Sequence, residues 1–501
     1  MSDALYLGVD CGTQGTKAVV LNAETGQALG IGSASHTLVS EANGRREQDP
    51  AQWTAAFEQA THAAIAEAGV DGRLIRAIGV SGQQHGLVTL DAEGHVLRPA
   101  KLWCDTETTA ENAALLVMLG GTPGSLDRLG IAIAPGYTLS KLPWMQKHFP
   151  AIFERIAHVL LPHDYLNFWL TGRYSAEYGD ASGTGYFNIR TRQWDRDLLN
   201  RVDPTGRLEQ ALPPLIEADQ AVGTLRPDLA KRLGMSPDVI VSSGGGDNMM
   251  GAIGTGNITP GVVTMSLGTS GTLYAYSDAP IVSQHPSVAA FCSSSGGWLP
   301  LICTMNLTNA NAAIRDLLQI GLEDFNRFLS EAPIGAEGVV MLPFLNGERV
   351  PALPHGTATL HGLTTQNLTR ANLCRAVVEG VTFGLRHGLD LLRASGIESQ
   401  AIRVIGGGSN NALWRQMVAD IMNTPVVRTT HSEAAALGGA IQAAWCEQRH
   451  RGRDVSLAEL CERCVAIDPA SRAEPIPQNV ERYQAVYQTY RSQVKTLYGD
   501  V

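Results

Sequence analysis

Asp10-Cys11-Gly12-Thr13-Gln14-Gly15-Thr16 and Ser266-Leu267-Gly268-Thr269-Ser270-Gly271-Thr272 share the pattern xxGTxGT at an offset of 256 residues in a chain of 501. Each copy follows an apolar, β-prone run, LYLGV or VVTM, and precedes another, AVVL or LYAY. Both therefore read as strand, glycine-rich turn, strand. A short Gly/Thr motif recurs easily in a chain with 53 glycines, about 11% against a usual ~7%. The matching flanks and the half-length offset nevertheless favour duplication of an α/β unit, with one half expected over 1–246 and the other over 247–501.

Length alone would suggest roughly three domains at ~150 residues each, which the repeat reduces to two related halves. With 38 basic against 48 acidic side chains, a formal charge of −10 and no dense Lys/Arg block, nucleic acid is not an expected partner. The N-terminus, MSDALYLGVDCG, shows no export signal. Between Asn248 and Ile314 the only charged residue is Asp278, yet Gly, Ser, Thr, Asn and Pro break the stretch too often for a membrane helix. It reads as interior or ligand-lining backbone. Eight scattered cysteines suit reduced thiols and a cytoplasmic location. Cys461 and Cys464 have CxxC spacing but no second pair or nearby histidines to complete a zinc site, so they are expected to be ordinary helix residues.

A Gly-Thr-x-Gly-Thr tip exposes backbone N–H groups and hydroxyls without bulk, and such a nest suits phosphate oxygens. Either tip alone reads as a plain turn; two facing each other would clamp a polyphosphate. Asp10 leads the first tip, where a carboxylate can hold hydrated Mg²⁺, while the second has Ser266 there. No P-loop, Rossmann GxGxxG, GxSxG elbow or HExxH occurs. Nucleotide, if bound, must be held by the two hairpins.

The segment VIVSSGGGDNMMGAIGTG places Gly244, Gly245 and Gly246 before Asp247 and Asn248 at a helix start. Asp247 is there either as an N-cap or as a general base reached across bare backbone. In AIRVIGGGSNN a strand again ends in three glycines, so Gly407 offers bare backbone to a flat ring and Asn411 a polar edge; tight strand-to-helix turning explains them equally. The helix from about Ala434, EAAALGGAIQAAW, is rich enough in small residues to pack closely behind such a site. In the first half, Gln84 and His85 of SGQQHG supply donors and acceptors suited to a polyol, against the plainer reading of a hydrogen-bonded loop histidine. Trp103 and Asp105 of KLWCDTE suit a sugar face and a hydroxyl, or an ordinary surface turn.

Taken in order, Asp10 with GTQGT, SGQQHG, LWCD, PGYTLSKLPWMQ, SSGGGDN, SLGTSG, ATLHGLTTQNLTRANLCRAVVEG and IGGGSNN resemble the FGGY carbohydrate kinases from about residue 5 to about residue 498. Both family signatures are present, around Lys141 and Trp144 and from Ala358 through Gly362 to Glu379. LLPHDYLNFWLTG (160–172), GDASGTGYFN and the Gln84-His85 pair resemble the ketopentose-phosphorylating members, whereas glycerol-phosphorylating members place Arg-Glu at that pair. The resemblance implies a duplicated, actin-like (ribonuclease H-like) α/β fold with ATP and Mg²⁺ in a central cleft and a small-molecule sugar as partner; a homodimer is compatible with it. It implies Asp247 as the general base for the C5 hydroxyl and Asp10 as the Mg²⁺-assisting acid. Gln84, His85 and Asn248 match sugar contacts, with Trp103 and Asp105 beside them. Thr13, Gly268 and Thr269 match the phosphate hairpins, and Gly407 with Asn411 the adenosine pocket. Two departures touch the choice of sugar: many relatives read LWNDxR where this chain has Trp103-Cys104-Asp105-Thr106-Glu107, and Gln84 stands where Met is familiar.

Overall fold

The computed structural model describes residues 5–281, 283 and 285–500. The first half builds a seven-stranded sheet from Leu5–Cys11 (β1), Gly15–Asn22 (β2), Gln27–Ser35 (β3), Ile75–Gly82 (β4), Ala221–Thr224 (β5), Ile240–Ser242 (β6) and Gly245–Gly246 (β7). The second builds another from Gly261–Leu267 (β8), Gly271–Ala275 (β9), Ala289–Cys292 (β10), Trp298–Thr304 (β11), Ser399–Ile405 (β12), Val426–Thr429 (β13) and Ile467–Ala473 (β14). Their orders are β5-β6-β4-β1-β2-β3, with β7 beside β4, and β10-β11-β9-β8-β12-β13-β14.

The two sheets superpose in plan. Each has an antiparallel hairpin, β1/β2 or β8/β9, with a further antiparallel strand beyond it, β3 or β11. On the other side two parallel strands follow, β4 and β6 or β12 and β13, and then an antiparallel one, β5 or β14. Six strands correspond in order and sense, as duplication requires, and β10 extends the second sheet alone. β1, LYLGVDC, is apolar on both faces because both are covered, the pattern of a parallel-sheet interior.

Eight helices matter for the site: Pro50–Ala68 (α1), Thr138–His148 (α2), Pro162–Thr171 (α3), Asp247–Gly254 (α4), Arg370–Ala394 (α5), Ala412–Met422 (α6), Ala434–His450 (α7) and Leu457–Cys464 (α8). α1 starts where its residues say it should: Asp49 accepts from Ala51 N at 2.9 Å and Pro50 occupies the first turn. α7 is placed differently from the sequence expectation. It lies on β1 and β4 of the first sheet and across α4, rather than behind the second triple glycine. The physical reason is its two-sided small face. A Cβ on Gly8 would lie 1.8 Å from Ala436 O, and one on Gly438 1.8 Å from Met250 O, so helix backbone meets sheet backbone on one side and helix backbone on the other. Tyr6 Oη, in β1, donates to Glu447 Oε2 of α7 at 2.9 Å, both side chains fully buried. Cys461 and Cys464 are buried, free helix residues, as expected. Among the described residues no helix is long and apolar enough to cross a membrane.

Candidate active site

Both GT-rich turns are hairpin tips. Cys11 pairs with Thr16 around the first, where Gly12 N donates to Gly15 O at 3.0 Å, and Leu267 pairs with Gly271 around the second. Thr269 is exposed at its tip and Gly268 half-buried. Thr13 is turned inward: its hydroxyl donates to Gln83 Oε1 at 3.0 Å and accepts from Trp103 Nε1 at 2.9 Å. A phosphate at the first tip would therefore meet backbone rather than this hydroxyl.

Asp10 is the last residue but one of β1, beside that tip, and Ser81 Oγ on the neighbouring β4 donates to its Oδ1 at 2.6 Å. Burial pushes its carboxyl above the ordinary range, and the charge of Glu433 adds to this against Ser81 and Lys17. Asp247 opens α4, but Gly246 is the N-cap and Asp247 the first helical residue. The capping alternative is thus not the arrangement found. Its Oδ1 accepts from Asn248 N at 2.8 Å and Asn248 Nδ2 at 3.0 Å. Burial first, and then the charge of Asp10, push Asp247 up to about 8. Among the described residues neither acid has an ion-pair partner. Two mutually repelling, unpaired carboxylates beside a phosphate-type nest form a hard-oxygen donor set that a dication would relieve, so these residues fit Mg²⁺.

Asn248 Nδ2 also reaches Gln84 Oε1 at 2.9 Å, which joins the start of α4 to the loop after β4. Gln84 is buried, and its Nε2 has no partner among the described residues. His85 has φ 65°, a strained value for a residue with a side chain. Lys141 Nζ and Thr138 Oγ1 of α2 hold its carbonyl in that conformation. Its Nδ1 lies 2.7 Å from Gly183 O, and since a carbonyl only accepts, Nδ1 carries the hydrogen and Nε2 is left as an acceptor. Burial, with Lys141 and Arg349 nearby, pushes His85 down to about 3, so the ring is neutral. Tyr137 and Phe291 wall it at 4.6 and 5.7 Å.

Trp103 reaches the same region through Thr13, but Asp105 stands apart. Its Oδ2 accepts from Lys101 Nζ and Arg46 N, both at 2.8 Å, and its Oδ1 from Glu107 N at 3.1 Å, with the side chain fully buried. Lys101 fills the centre of Glu47, Asp105 and Glu107 and lies 3.9 Å from the Trp144 ring. Asp105 therefore braces the loop that carries Trp103. On the other side, a Cβ on Gly406 would come 3.1 Å from Gly268 N, so the second triple glycine leans on the second hairpin, and open space surrounds Gly407. Asn411 caps α6, its Oδ1 accepting from Trp414 N at 3.0 Å while its Nδ2 donates to Asn326 Oδ1 at 2.8 Å.

Sequence reasoning missed Tyr137, Phe291 and Arg349 as lining residues. Tyr137 lay in the quoted PGYT motif, whereas Arg349 lies in a turn-rich segment with no signal of its own. It also missed an acid cluster under the Gly244–Asp247 loop. His163 Nδ1 is 2.5 Å from Asp180 Oδ2 and its Nε2 3.2 Å from Asp164 Oδ1, while Ser294 Oγ donates to Glu177 Oε2 at 2.7 Å. All four titratable groups are buried; burial pushes Asp164 and Glu177 up to about 7 and Asp180 well above its ordinary value.

Comparison with known proteins gives the same picture along the whole chain. Residues 5–254 match the FGGY family of carbohydrate kinases, N-terminal domain, and residues 263–447 its C-terminal domain. A xylulose kinase of Haemophilus influenzae is 49% identical over 498 residues, covering 99% of this chain and 100% of the relative. That of Escherichia coli is 35% identical over 500 residues, covering 99% and 98%. The crystal structure of a xyloylose kinase from Brucella ovis matches with a TM-score of 0.89 at 33% identity, covering 99% of both chains. A glycerol kinase structure from Plasmodium falciparum shares the fold at 18% identity, with a TM-score of 0.86 over 98% of both chains. The duplicated sheets, the paired hairpin tips and these matches agree: the chain belongs to the FGGY family of carbohydrate kinases.

Proposed function

We propose that this chain transfers the γ-phosphoryl group of ATP to O5 of D-xylulose. The observation that carries this reading is the placement of Asp247, a carboxyl group with no ion-pair partner among the described residues, raised to about 8 and tied through Asn248 to Gln84. The sugar hydroxyl gives its proton to Asp247 as its oxygen attacks the γ-phosphorus, the bond to the ADP oxygen breaks, and ADP leaves. Neutral His85 accepts a hydrogen bond at Nε2, Gln84 Nε2 donates to a sugar oxygen and Asn248 Oδ1 accepts from a sugar hydroxyl, with Trp103 against the carbon face. Asp105 acts by holding the Trp103 loop. Mg²⁺, held through Asp10, supplies charge neutralisation to the phosphates when bound. The backbone of the tips at Thr13, Gly268 and Thr269 receives the phosphates, and Gly407, with the helix Asn411 caps, receives adenosine. The halves 1–246 and 247–501 close over the substrates and exclude water. Eight free cysteines suit a reducing cytoplasm.

D-xylulose, L-xylulose, D-ribulose and glycerol assayed with ATP should give the highest kcat/KM for D-xylulose, and Asp247→Ala should lose about 10²- to 10⁴-fold. A parental rate in Asp247→Ala, or a panel in which another compound is preferred, would sink the corresponding part of the reading.

A further inference from the structure

Arg349 enters the seam between the halves on the segment joining strands Val340–Leu342 and Thr359–His361. Its Nη1 lies 3.6 Å from Cys303 Sγ, and Cys303 on β11 pairs directly with Thr272, the last residue of the second hairpin motif. Its guanidinium carbon lies 5.8 Å from the ring centroid of Trp103, whose indole N–H donates to Thr13 in the first tip. Arg349 thus touches a residue on the strand next to the second hairpin and a residue hydrogen-bonded to the first tip. No acid pairs with it among the described residues. The adjacent Glu348 does not pair with the guanidinium: its oxygens accept from the backbone of Met305, Asn306 and Arg349 and from Asn306 Nδ2. Among the described residues the one side-chain hydrogen-bond partner of this guanidinium is a thiol, which leaves most of its five donors uncommitted there.

We propose that Arg349 is a catalytic residue, donating to the non-bridging oxygens of the phosphoryl group in transit and afterwards holding the phosphate of the sugar-phosphate product. A planar fork of five donors matches a multi-oxygen anion far better than a neutral hydroxyl, and such charge neutralisation is most of what phosphoryl transfer asks of a protein. Its place beside Cys303, next to the second hairpin, and over Trp103, bonded to the first tip, favours the end of the sugar that meets the phosphates over the distal end. This rests on the kinase reading above, with D-xylulose as the probe.

Arg349→Gln and Arg349→Lys are compared with the parent in turnover with ATP and in calorimetric affinity for D-xylulose and for D-xylulose 5-phosphate. In Arg349→Gln, kcat should fall about 10²-fold and product affinity about tenfold or more, with sugar affinity within about threefold. Should that variant lose its cooperative melting transition, Arg349→Lys decides, with kcat down about tenfold at unchanged sugar affinity. Turnover and product affinity within about threefold of the parent, or a loss of sugar affinity as large as the loss of kcat, would overturn the proposal. A parent that phosphorylates no sugar defeats the functional reading and this proposal together; an active parent with unaltered variants defeats this proposal alone.

Discussion

Asp247 combines a poorly hydrated setting with no cationic partner among the described residues, and the result is a carboxyl group that exchanges its proton close to neutral pH. The contribution of Asp10 can be separated from that of burial. Replacing Asp10 by Asn removes a like charge, so the pKa of Asp247 falls and the acidic limb of the residual kcat/KM profile moves to lower pH, by about a unit. A limb that stays or rises would show that Asp10 does not act electrostatically on Asp247. Both acids were legible because each stands beside glycines in a short motif. Thr13 and Asp105 were legible as positions but not as roles. The partners that turn Thr13 inward, Gln83 and Trp103, are 70 and 90 residues away, and those that surround Asp105 include Arg46, 59 residues away. Their side-chain orientation is a property of the folded seam. Arg349 could not be found at all, since its environment is made by a strand of the second half and by turns of the first.

At the scale of elements, the two hairpins are the most local features and were read correctly from their flanks. α7 was recognised as a helix but not placed, because a small-residue face states how near a neighbour comes and not which neighbour it is. The fit on α4 and β1 gives a contrast in sign between two helical glycines. Gly438→Ala drives a methyl into Met250 O and should cost about 3 kcal/mol or more. Gly384→Ala in α5 meets nothing nearer than 3.8 Å and should stabilise by about 0.5–1 kcal/mol. Urea midpoints of the two variants against the parent measure both; equal shifts would mean that the α4–α7 crossing relaxes freely.

For the molecule as a whole, the duplicated sheets explain the length and much of the glycine, while the acid cluster under the Asp247 loop has consequences for stability. Glu177 is raised to about 7 in the fold against a usual ~4.3 in the unfolded chain, so the folded state holds its proton more tightly. Its contribution is fully present below about pH 4, declines between there and about 7, and is flat above. Relative to Glu177→Gln, which does not titrate, the parent should lose roughly 3 kcal/mol across that window. Parallel stability-versus-pH curves for the two proteins would contradict the raised value. None of this was visible beforehand, because nothing in the sequence states that His163, Asp164, Glu177 and Asp180 meet until the fold closes over them.

The position of α7 also bears on how the protein is made. The sheet of the first half is complete once about residue 246 has been synthesised, yet the helix that covers β1 and β4 ends at His450. At ~5–20 residues per second, roughly ten to forty seconds of translation separate the two events. During that interval the face of β1 and β4 lacks the helix that covers it in the finished fold, so the first half is expected to complete its folding only after residue 450 has been made.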